Sequence, residues 1–147
     1  MTKTLIIGIG NPLRGDDGLG WHAANQLGQT ILSPDIEIIA VQQLTIDLVE
    51  AIHQVDFALF IDSRLDQPPG IFAVQNIEPD SCRQSSVSHF FDPETLLSAV
   101  QALYGKHPKA MLLTISADQF EFSENLSEPV QAALPGLVVF VEKLCCS

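Results

Sequence analysis

The stretch Gly8-Ile9-Gly10-Asn11-Pro12-Leu13-Arg14-Gly15-Asp16-Asp17-Gly18-Leu19-Gly20 decides how this chain is read. Ahead of it, Leu5-Ile6-Ile7 continues an uninterrupted apolar run over residues 4–9, the pattern of a strand covered on both faces of a parallel sheet. Behind it, Leu19, Ala23, Leu27 and Ile31 recur at helical spacing, and Trp21 and Ala24 widen the apolar face. A helix is therefore expected over residues 18–30. A glycine-rich turn carrying two adjacent carboxylates sits where a strand hands over to a helix. In α/β proteins that is a preferred place for a site, because strand carboxyl ends and helix N-termini open onto one crevice.

Outward from this turn, strands and helices alternate. Residues 36–41, 56–61 and 110–116 are further apolar strands, and 71–76 is a short strand expected at an edge. Thr45 is placed to cap a helix bearing Leu48, Val49 and Ile52. Asp92-Pro93 opens another helix, lined by Leu96, Leu97, Val100, Leu103 and Tyr104 and closed at Gly105. Ser127-Glu128-Pro129 opens the last, with Val130, Ala133, Leu134, Leu137, Val138, Val141 and Leu144 inward; Pro135-Gly136 is expected to kink or divide it. Residues 78–91 and 118–125 lack a period and read as long loops. The pattern is that of a doubly wound α/β sheet in one domain, 1–147, long enough to bury a sizeable core.

Composition narrows the function. The formal net charge is −11, with 7 Lys and Arg against 18 Asp and Glu, which argues against nucleic acid, whose phosphates need clustered cations. No apolar segment is long enough to span a membrane, so no membrane association is expected. Met1-Thr2-Lys3-Thr4 leads directly into strand-like sequence without the features of a secretory signal. The three cysteines, Cys82, Cys145 and Cys146, are odd in number and lack metal-site spacing. A reducing, cytoplasmic setting is expected.

The residues that could carry chemistry are few. Gly8-x-Gly10 is no dinucleotide fingerprint, since Leu13 stands where the third glycine belongs and Val41-Gln42 where the ribose acid belongs. No Lys-Ser or Lys-Thr follows the glycines either. Asp16 and Asp17 repel phosphate and attract a cation. Acids at a helix start also complement its dipole, so one of the two is expected to support the loop and the other to face the crevice. Asp62 ends an otherwise apolar strand and should emerge at the carboxyl edge of the sheet. His89 lies in a long loop leading to a helix start at the same edge, whereas His22, His53 and His107 read as surface residues on or near helices. If the first and third strands are neighbours, Asp17, Asp62 and His89 can converge. Two carboxylates and an imidazole leave open positions on a divalent metal, and zinc, nickel, iron and manganese all fit. No HExxH or GxSxG motif is present. Cys82, near His89, keeps a cysteine nucleophile as an alternative.

These residues resemble the hydrogenase maturation proteases, which trim the large subunit of nickel-iron hydrogenases. The resemblance rests on residues 8–20, on Phe60-Ile61-Asp62-Ser63, on Ser88-His89 ahead of a helix, and on Leu126-Ser127-Glu128-Pro129-Val130. It implies a three-layer α/β sandwich: a mostly parallel, twisted sheet of about five strands with helices on both faces. It further implies an endopeptidase, aspartic-type or metal-assisted, that removes a C-terminal peptide from a nickel-loaded large-subunit precursor. By position, Asp17, Asp62 and His89 become the metal-contacting set, with Asp17 and Asp62 also the catalytic acids. Asp16 and Asn11 would support the loop. Some members carry Glu where Asp17 stands. The nickel would arrive with the precursor, and no tightly bound organic cofactor is expected. Gln42-Gln43-Leu44-Thr45 resembles the segment of members serving bidirectional, NAD-linked hydrogenases, where it would select the partner. The alternatives are a non-enzymatic nickel-binding hydrogenase assembly factor on the same fold and a small nucleotide-binding regulator.

Overall fold

The computed structural model describes residues 2–80, 91–118 and 120–146. Its centre is β1 (Thr4–Ile9), every residue of which is buried. β1 lies between β2 (Ile36–Val41) and β3 (Phe57–Leu65), parallel to both. β3 pairs in parallel with β5 (Lys109–Ala117), and β4 (Phe72–Ile77) closes the far edge antiparallel to β5. The sheet order is β2-β1-β3-β5-β4.

Alternation along the strands sends side chains to two cores. Ile6, Leu59, Ile61, Leu113 and Ile115 meet α1 (Leu19–Thr30) and α4 (Glu128–Cys146) on one face. Leu5, Ile7, Ala58, Phe60 and Ala110 meet α2 (Val49–His53) and α3 (Pro93–Tyr104) on the other. Helices on both faces of a five-stranded, mostly parallel sheet make the expected three layers.

Several elements depart from expectation. β3 does not stop at Asp62; Ser63, Arg64 and Leu65 extend it, because β5 keeps pairing with it as far as Ala117. β1 pairs with β3 only as far as Ile61, so β3 is uncovered on the β1 side from Asp62 onward. Thr45 makes no side-chain cap; a 3-10 turn, Ile46–Leu48, leads into a short α2 instead. α4 is one element through Pro135. Gln131 and Pro135 are exposed, so the carbonyl that loses its helical partner can turn to water, while buried Leu134, Leu137 and Val138 hold both halves on the sheet. Leu103 and Leu144 sit near helix ends and are exposed, at 63% and 36%. Asp92 caps α3 as its sequence suggests, accepting from the Thr95 N–H at 2.8 Å, and Gly105 ends it in the left-handed region at φ 76°.

Candidate active site

The glycine-rich loop has the shape that close backbone packing imposes. Gly20 lies where α1 begins, against the backbone of Ile9 and Ile61; a Cβ there would strike both. Gly10 has φ 149°, and a Cβ on it would strike the Asp17 carbonyl. The glycines thus press the start of α1 onto the end of β1. That role accounts for them without a phosphate.

Between them the chain turns through a 3-10 segment, Gly15–Gly18, which sends its two acids in different directions. Asp16 is buried, at 5% exposure. Its two carboxylate oxygens accept from the backbone N–H and from the hydroxyl of Ser127, each at 2.7 Å. A buried carboxylate needs such partners, and this pair ties the loop to the start of α4 across 111 residues of chain. Asp17 accepts from the Asn11 N–H at 3.1 Å, and the Asn11 side chain accepts from the Leu13 N–H at 2.9 Å. Asp17 is partly buried and lines a cleft of about 290 Å³.

The cleft opens at the carboxyl edge of the parallel strands, where β1 has left the sheet. Gly10 and Asp17 form one wall, Asp62 of β3 another. Gln42 and Gln43, exposed after β2, form a third, above buried Leu44. Phe91, Asp92 and Pro93, where α3 begins, complete it. The N–H of Ser63 donates to Asp62 at 2.8 Å. Even so, burial pushes the Asp62 carboxyl up to about 7, and the nearby charge of Asp17 adds to the rise against the lowering by Ser63. Two carboxylates in one cleft, one of them costly to ionise, form a site that a divalent cation or a proton would stabilise.

His89 and Cys82 lie outside the described residues. Phe91, two residues beyond His89, lines the cleft. The other histidines are not at the cleft wall, and two are less exposed than their sequence suggested. His22 Nε2 and His53 Nδ1 are buried without a hydrogen-bond partner among the described residues. His53 stacks on Tyr104 with ring centroids 3.7 Å apart; burial pushes the His22 imidazole down. Among the described residues no group of three or more His, Cys, Asp or Glu is arranged to hold a metal ion.

Sequence reasoning missed two partners. Asp92 was legible as a helix cap but not as part of the cleft. Ser127 was legible as a helix start but not as the partner of Asp16, for which nothing local gives a signal.

No family model matches the sequence, and no curated protein matches it. Solved structures do match over nearly the full length. The [NiFe] hydrogenase maturation protease HycI from Thermococcus kodakarensis superposes with a TM-score of 0.81 at 22% identity, covering 99% of this chain and 94% of that one. The fold is that of the hydrogenase maturation proteases. The hydrogenase maturating endopeptidase HybD from E. coli gives 0.78 at 20% identity, over 97% and 91% of the two chains. A hydrogenase 2 maturation peptidase from a Thaumarchaeota archaeon gives 0.73 at 24% identity, over 97% of each. At these identities it is the maturation-protease fold that is shared, and in this chain that fold sets Asp17 and Asp62 at one cleft. No helix among the described residues is long and apolar enough to cross a membrane.

Proposed function

We propose that this protein is a cytoplasmic endopeptidase that removes a C-terminal peptide from a nickel-loaded hydrogenase large-subunit precursor. The observation that carries the reading is the meeting of Asp17 and Asp62 in one cleft at the carboxyl edge of β1 and β3. Full-length likeness to maturation proteases supports it.

The roles follow from the environments. Asp62, held near neutrality by burial, exchanges a proton at working pH and suits a general base for water. Asp17, oriented by the Asn11 N–H, lines the same space. His89 is assigned as the third contact to the metal. The donor set fits a cation, since a positive charge offsets the cost of burying the Asp62 carboxylate and relieves the smaller repulsion from Asp17. Nickel belongs to the substrate in this scheme: the precursor carries it in, and it polarises the scissile carbonyl as a Lewis acid. A precursor without metal then meets two repelling carboxylates and is left uncut. Asp16, bound by Ser127, holds the loop and takes no part in the chemistry.

The test is the mass of a purified large-subunit precursor after incubation, with and without nickel loaded. Loss of a C-terminal peptide only from the loaded form is expected, and Asp62→Ala should abolish it. Full cleavage by Asp62→Ala would end the assignment of Asp62. Cleavage of both forms would keep the protease and remove the nickel requirement. Nickel-dependent binding without cleavage would make the protein an assembly factor.

A further inference from the structure

The glycine-rich loop separates two depressions. Gly10 and Asp17 face the cleft with Asp62, whereas Gly15 and Asp16 line a second groove of about 300 Å³. The opposite wall of that groove comes from Ser123 and Asn125 in the segment ahead of α4 and from Pro129 in its first turn. Short hydrogen bonds join the two walls. The Ser123 N–H donates to the Leu13 carbonyl at 3.0 Å, and the Gly15 N–H donates to the Ser123 carbonyl at 2.8 Å. Arg14 and Ser123 form a parallel bridge, so Leu13 and Phe122 occupy facing register positions one residue earlier.

Both of those side chains are in water: Leu13 is 57% exposed and Phe122 is 90% exposed. A lone exposed apolar residue is ordinary. Two at one register, one of them in the loop that carries Asp17, form an exposed apolar pair. The charge around them is one-sided. Residues 118–128 include the exposed acids Asp118, Glu124 and Glu128 and no Lys or Arg; Arg14 is the one base in the facing loop.

We propose that Leu13 and Phe122 dock the stretch of the precursor chain beside the scissile bond, and that this stretch carries a large apolar side chain flanked by lysine or arginine. The proposal rests on the protease reading above and names how that site takes its substrate. The apolar pair supplies the anchor, and the acids of residues 118–128 draw in the basic flanks and exclude acidic segments. The loop lines both depressions, so a chain anchored at Leu13 lies against the same loop that carries Asp17.

The experiment compares wild type, Leu13→Ser/Phe122→Ser and Asp118→Lys/Glu124→Lys, with Leu32→Ser, 87% exposed after α1, as a surface control. Binding to a nickel-loaded precursor is read by interferometry and cleavage by steady-state kinetics, after melting curves show each variant folded. The apolar variant should raise Kd and KM about 10-fold or more with kcat within about twofold. The charge variant should slow association and lose its dependence on salt between about 50 and 300 mM. Wild-type Kd and KM for Leu13→Ser/Phe122→Ser would overturn the docking site, as would a wild-type protein that does not bind the precursor. A wild type that binds through Phe122 yet leaves the precursor mass unchanged would keep the docking site and remove the protease.

Discussion

Replacing Asp62 by Asn should make the protein more stable at neutral pH while abolishing cleavage. Burial holds the Asp62 carboxyl at about 7 in the fold against an ordinary 3.8. The folded pKa is raised, so between those values the native state keeps a proton that the unfolded chain releases, and stability falls as pH rises through that window. At about 1.4 kcal/mol per pH unit, the full separation corresponds to a ceiling of about 4 kcal/mol lost above pH 7. The cleft is open to water, which relaxes part of that penalty, so a gain of about 2 kcal/mol is expected for the neutral amide. Asn keeps an oxygen for the Ser63 N–H that now bonds Asp62 at 2.8 Å, so no donor is left unpaired. For a chain of 147 residues this corresponds to about 4–8 °C in Tm. The assay is thermal unfolding of both proteins in chelator-treated buffer from about pH 4 to 8. The difference should be largest at the alkaline end and shrink steadily toward pH 4, as the carboxyl of the unfolded chain begins to take up its proton. Equal Tm values at pH 8, or a difference that grows on acidification, would refute the reasoning.

Other substitutions probe the supports. Asp16→Ala removes both partners of Ser127 and leaves its N–H unpaired, so chemical denaturation should show a loss of about 2–4 kcal/mol; an unchanged midpoint would show that the tie carries no weight. Gly20→Ala should cost about 3 kcal/mol or more, because its Cβ meets the backbone of Ile9 and Ile61, whereas Gly28→Ala, in α1 with nothing within 4 Å, should gain about 0.5–1 kcal/mol. Equal midpoints for those two would contradict the packing of α1 on β1. Pro135→Ala should stabilise α4 by about 1–3 kcal/mol through a restored bond to the exposed Gln131 carbonyl, with melting temperature as the readout; a lower Tm would show that the proline is needed there.

Much of this architecture is legible in the chain. Apolar runs too short for helices read as buried strands, and Asp92-Pro93 with Gly105 bounds α3 by local capping chemistry alone. Asp17 and Asp62 are legible as neighbours once the first and third strands are adjacent, because Asp62 lies just beyond the end of pairing between those strands and Asp17 sits in the loop that leaves β1 at the same edge. Less legible is the length of β3. Ser63 and Arg64 are polar, and only pairing with β5, together with the bond from Arg64 to the Thr114 hydroxyl at 2.6 Å, keeps them in a strand. The partial burial of His22 and His53 was equally hidden, since each falls beside apolar helix positions whose packing is set by distant segments.

By itself, then, the sequence determined the strand and helix content, the glycine-rich turn between β1 and α1, and the edge at which acids gather. Those are consequences of local period, capping and the missing Cβ, and they need no knowledge of distant contacts. The spacing of residues 8–20 says only that one of two adjacent aspartates supports the loop and the other faces the crevice, and the family resemblance implies which; the tertiary structure supplies the physical reason. Asp16 and Asp17 are the same residue type one position apart, with the same helix start before them. Ser127 binds the first with two hydrogen bonds from 111 residues away, and the turn that this tie holds presents the second to Asp62. A carboxylate's role is set by the groups that meet it, and those groups come together only when the chain has closed.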